Sequence, residues 1–143
     1  VSILGRVAAG YMADRLPIKY VAILFFLLQI AGLILLLEAG SATLLWSFVI
    51  VFGLAMGGMF AVEPLLISRH FGLASFGAIY GGLWALSTPG WAGGPPLAGY
   101  FFDVTGSYNL ALLLFIALTL LAIALIFFVK PPAHTAKAPG SLK

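Results

Sequence analysis

The chain has 143 residues, of which 63% are hydrophobic and only 8% charged. A soluble domain carries about a quarter charged residues, so a water-coated globule is excluded and lipid must be the outer solvent. The net charge of +3 has no clustered basic face for nucleic acid, and the lack of cysteine excludes disulfides and thiolate metal sites.

A membrane-spanning helix needs about 20 mostly apolar residues, because the hydrocarbon layer is ~30 Å thick. Residues 1–13 read as the last turns of one such helix. The opening at Val1 has no methionine and lacks the basic–apolar–small order of a signal peptide, so it reads as a truncation point. Arg6 lies eight residues before Asp14, roughly 12 Å deeper along a helix. Hydrocarbon penalises an arginine there, which makes it a candidate functional residue.

Complete spans are predicted at residues 20–37, 43–62, 75–102 and 108–129. The first is apolar apart from Gln29, and the second holds Gly53 and Gly57 at the spacing that lets helices approach closely. The third carries two more such pairs, Gly77 with Gly81 and Gly90 with Gly94. It also places Pro89, Gly90, Pro95 and Pro96 at membrane depth. Each proline removes a backbone donor, so either a kinked packing helix or a break near a cavity is expected. Gln29, Tyr80, Trp84, Ser87, Thr88 and Trp91 are the polar and aromatic side chains available to line a cavity. Trp46 and Tyr108, near span ends, read as interfacial anchors.

The connections fall at residues 14–19, 38–42, 63–74 and 103–107. If every segment spans, all Lys and Arg lie on one side or in the adjoining helix end, while the other side holds only Glu38 and Asp103. The positive-inside rule makes the basic side cytoplasmic. Residues 131–143 follow two prolines and have no apolar stretch, which predicts a disordered cytoplasmic tail. The spans hold no paired carboxylates, no nucleophile–base set and no phosphate loop, so neither an enzyme nor a cofactor or metal is expected.

The segment from Gly5 to Lys19 resembles the cytoplasmic loop signature of the major facilitator superfamily, G-x-x-x-D-R-x-G-x-[RK]. It matches at Gly10, Asp14, Arg15 and Lys19 and departs at Pro17, where the pattern has glycine. The stretches Glu63-Pro64 to Gly72, Phe76 to Gly81 and Gly94 to Tyr108 are most similar to the monocarboxylate and oxalate/formate porter branch. The resemblance implies an all-α integral membrane fold: the end of helix eight plus helices nine to twelve of a twelve-helix bundle. It also implies alternating access against a missing N-terminal half, with a small solute coupled to a proton or a second solute.

In that family Asp14 would latch onto basic side chains and a helix start in the other half. Glu63 and Arg69, which bracket the following loop on the same side, are expected to pair with Asp14 and Arg15 in a cytoplasmic charge network. In monocarboxylate transporters an arginine at the spacing of Arg6 is held to bind the substrate carboxylate, and an aspartate stands one turn earlier. Here that position is Ser2. The expected function is therefore a secondary transporter of a small organic anion in a plasma or inner membrane, with the C-terminus cytoplasmic. Arg6, Gln29, Tyr80, Trp84 and Ser87 are its candidate substrate contacts. The alternatives are a drug or sugar exporter of the same fold and a non-transporting four-helix scaffold.

Overall fold

A computed structural model describes residues 1–128. The predicted tail lies outside the described residues. The described chain forms five helices: α1 (Ser2–Arg15), α2 (Ile18–Leu37), α3 (Ala42–Phe71), α4 (Phe76–Thr105) and α5 (Asn109–Phe128).

Local chemistry sets the boundaries. Pro17 forces Leu16 into an extended conformation, so α1 stops and α2 starts after a two-residue turn. Asp14 and Arg15 therefore occupy the last turn of α1 and Lys19 the first turn of α2, where a six-residue loop was expected. Ser41 caps α3 by accepting a hydrogen bond from the Leu44 N–H at 3.4 Å. Gly106 ends α4 in the left-handed conformation, its N–H returning to the Phe102 carbonyl at 2.7 Å.

The sequence reading placed the end of the second full span at residue 62, but α3 runs through Pro64 to Phe71. A single proline deletes one helical donor, whereas Leu65, Leu66 and the buried Ile67 beyond it have apolar surface to cover. The helix ends only at Gly72, where φ is 75°. The third full span is likewise longer than expected. It is one continuous helix through Pro89, Pro95 and Pro96, so the break weighed from the sequence is not a break in the helix.

Among the described residues three helices, α2, α3 and α5, are long and apolar enough to cross a membrane. The 30-residue α4 has the length but not the apolarity, because glycine, proline and hydroxyl side chains dilute it. The core lies where α1, α2 and α3 meet and is built on Ala9, Ala13, Val21, Phe25 and Val62.

The close approach of α1 to α3 depends on small residues. A Cβ on Gly5 would strike the Leu54 carbonyl, and one on Gly57 would strike the Ser2 backbone. Gly53 faces the Val1 side chain across the same contact. The other two glycine pairs do not serve in this way. Gly77, Gly81, Gly90 and Gly94 have nothing within 4 Å of where a Cβ would stand. They belong to α4, on which no residue is buried. Among the described residues, nothing packs on that face of α4.

Candidate functional site

Arg6 projects from the exposed side of α1, and its guanidinium carbon lies 5.9 Å from the ring centre of Phe60 on α3. Phe60 is stacked with Trp84 (6.4 Å, 18°) and with Trp91 (6.5 Å, 21°), both on α4. The stripe continues along α4 in four-residue steps: Tyr80 meets Trp84 edge-on at 6.2 Å, and Phe76 stacks on Tyr80 at 5.2 Å. Among the described residues Arg6 forms no ion pair. The result is an exposed guanidinium at the edge of an aromatic wall. Such a fork can take a carboxylate through two parallel hydrogen bonds, while the rings hold its position.

Gln29 and Ser87 do not join this group. They line a separate cleft of about 640 Å³ between α2, α3, α4 and α5, with Phe52, Trp91, Phe115 and Thr119 among its walls. The hydroxyls in it are already engaged, since Ser87 donates to the Leu83 carbonyl at 2.8 Å and Thr119 to the Phe115 carbonyl at 2.8 Å. Trp91 belongs to both places.

The expected four-member charge network resolves into smaller pieces. Arg69 and Asp14 form an ion pair at 3.7 Å, with the Asp14 side chain 82% exposed. Arg15 instead lies over its own helix's Tyr11 ring at 4.3 Å. Glu63 lies within the extended α3 and forms no ion pair among the described residues. Lys19 takes a structural part: its ammonium donates to the Phe127 carbonyl at 2.6 Å and lies 5.2 Å from the Phe127 ring. The residue four further on, which would be that carbonyl's helical donor, is Pro131, and proline has no N–H to give. Gly10 has open space around it.

The family model described as Major Facilitator Superfamily matches residues 1–143. The chain belongs to the major facilitator superfamily. It is 33% identical over 112 residues to monocarboxylate transporter 13 of Bos taurus, covering 75% of this chain and 26% of that protein. It is 31% identical over 119 residues to monocarboxylate transporter 12 of Homo sapiens, covering 80% of this chain and 23% of that protein. The chain thus spans about a quarter of the length of the curated relatives it matches. No solved structure matches.

Membership in the superfamily agrees with the all-helical fold and the apolar helices, and makes this an integral membrane protein. Within this superfamily chain the structure brings together three of the five predicted substrate contacts, Arg6, Tyr80 and Trp84. The residue that joins them, Phe60, went unnoticed in the sequence. In Gly-Met-Phe-Ala-Val it is one apolar side chain among many, and only the crossing of α1 over α3 distinguishes it.

Proposed function

We propose that this chain is the C-terminal part of a secondary transporter that moves a small organic anion, such as a monocarboxylate, by alternating access. The observation that carries this reading is the exposed guanidinium of Arg6, without an ion pair among the described residues, beside Phe60, Trp84 and Trp91. Placing such a cation on a helix surface at hydrocarbon depth is costly, and a carboxylate solute offsets that cost. The monocarboxylate transporters among its relatives agree with the choice of solute.

In this proposal α4 spans as well, bringing the full spans to four, since 30 helical residues reach roughly 45 Å. The basic loop side is cytoplasmic, and the remaining wall of the solute path comes from the other half of the carrier. Pro89, Pro95 and Pro96 return no N–H to Ala85, Trp91 and Ala92, so α4 bends there more readily as the halves rock. The Asp14–Arg69 pair ties α1 to α3 at the cytoplasmic end during that motion.

The test is uptake of labelled small monocarboxylates by the full-length carrier, with sugars and drug-like cations as comparison solutes. Saturable carboxylate uptake that is lost in Arg6→Ala is expected. Carboxylate uptake unchanged in Arg6→Ala, or transport of neutral or cationic solutes alone, overturns the reading.

A further inference from the structure

The cleft shared by α2, α3, α4 and α5 has a chemistry unlike that of the Arg6 wall. Its volume, about 640 Å³, lies in the range of small-molecule pockets (about 300–1,000 Å³). No charged side chain lines it, and its walls come from the middle parts of four helices, three of them apolar enough to span. It therefore sits at hydrocarbon depth and gives an anion nothing to pair with.

Two polar features stand out against the apolar wall. The half-buried Gln29 side-chain amide faces the cleft with no hydrogen-bond partner among the described residues, and at hydrocarbon depth such an amide gains from a partner. Pro95 has no N–H to return to the Trp91 carbonyl, and both residues line the cleft. The Ser87 and Thr119 hydroxyls are spent on their own helices and present only weak acceptors. One unpaired amide and one carbonyl without its helical donor suit a single neutral head that both donates and accepts.

From this we infer that the cleft is a binding site for a neutral amphiphile, a hydrocarbon body carrying one hydroxyl, entering from the lipid and distinct from the solute site. The hydroxyl meets Gln29 and the Trp91 carbonyl, and the body lies against Phe52 and Phe115. Because Trp91 also stacks on Phe60, an occupant changes the aromatic wall beside Arg6 without touching Arg6. The site is thus placed to modulate the carrier.

The experiment uses the full-length protein in phosphatidylcholine nanodiscs, photolabelled with a diazirine-bearing 1-octanol and mapped by peptide mass spectrometry. The readout needs no transport, so it stands or falls apart from the anion proposal. Saturable labelling of cleft-lining peptides is expected, competed by unlabelled 1-octanol and not by octanoate at neutral pH. Gln29→Leu, which keeps the bulk and removes the amide, is expected to lower it several-fold. Gly94→Leu, at a position with nothing within 4 Å, is expected to fill the cleft and abolish it. Labelling that never saturates, or that survives both substitutions, reduces the site to ordinary lipid contact and overturns the inference. No labelling at the cleft means another segment of the protein fills it. Equal competition by octanoate means it takes anions. Either result overturns the inference as well.

Discussion

Arg6 and Phe60 stand 5.9 Å apart, guanidinium carbon to ring centre, across the glycine-lined crossing of α1 and α3. The contact unites a cation from α1 with an aromatic system that α3 and α4 share. It depends on Gly5 and Gly57, because any larger side chain there would push α1 off α3 and carry Arg6 away from the ring.

Phe60→Leu keeps the apolar bulk and removes the ring face. A cation–π contact at an exposed site is worth about 0.5–1 kcal/mol, so solute KM is expected to rise about two- to fivefold with kcat little changed. Arg6→Lys keeps the charge and loses the planar fork. Charged hydrogen bonds contribute about 1.5–3 kcal/mol, so roughly a tenfold or greater loss in uptake efficiency is expected. Concentration-dependent initial rates of carboxylate uptake measure both. A lysine variant as active as the parent shows that charge alone suffices.

The glycines of α3 and α4 are expected to respond in opposite ways. Gly57→Ala drives a methyl group into the Ser2 backbone, and overpacking of this kind costs about 1–3 kcal/mol. Gly81→Ala meets open space on α4, and alanine favours a helix over glycine by about 1 kcal/mol. Thermal unfolding in detergent is expected to show a lower midpoint for the first variant and an unchanged or higher one for the second. Equal loss in both would place a neighbour over Gly81.

The contrast between these glycines shows how far the sequence could be read. Helix number, the apolar spans and the family loop at Gly10, Asp14, Arg15 and Lys19 are local properties, and a one-dimensional pattern carries them. Which of three identical glycine spacings is a contact depends on the partner helix, and spacing does not record that. The same holds for Pro64. The sequence places it in the 63–74 connection, and the buried Ile67 beyond it shows why the helix continues. Arg6 was legible because hydrocarbon makes any arginine conspicuous, whereas Phe60 was hidden by being apolar in an apolar chain. Gln29 was legible as polar, and only the cleft shows that it lies apart from Arg6.

The Asp14–Arg69 pair is expected to contribute little to stability. Asp14 is largely exposed, and exposed pairs are worth about 0.2–1 kcal/mol. A double-mutant cycle with Asp14→Asn and Arg69→Gln is expected to give a coupling within that range, falling as salt rises. A larger coupling in transport rate than in stability would assign the pair to the conformational cycle.

Lys19 links two helices that are far apart in the chain. Its ammonium reaches from the first turn of α2 to the Phe127 carbonyl at the end of α5, joining elements separated by more than a hundred residues of sequence. Removing it leaves without its cationic donor a carbonyl that Pro131 cannot serve. Lys19→Gln retains a donor on a shorter side chain, and Lys19→Leu retains only apolar bulk. Amide hydrogen exchange in the last turn of α5 is expected to quicken in both, and more in the leucine variant. A charged hydrogen bond of about 1.5–3 kcal/mol sets an upper limit of roughly a hundredfold on the acceleration. The first turns of α5, capped by Ser107 at 3.2 Å to the Asn109 N–H, are expected to exchange as before. Acceleration along the whole of α5 would show that Lys19 holds the helix in place rather than sealing its end.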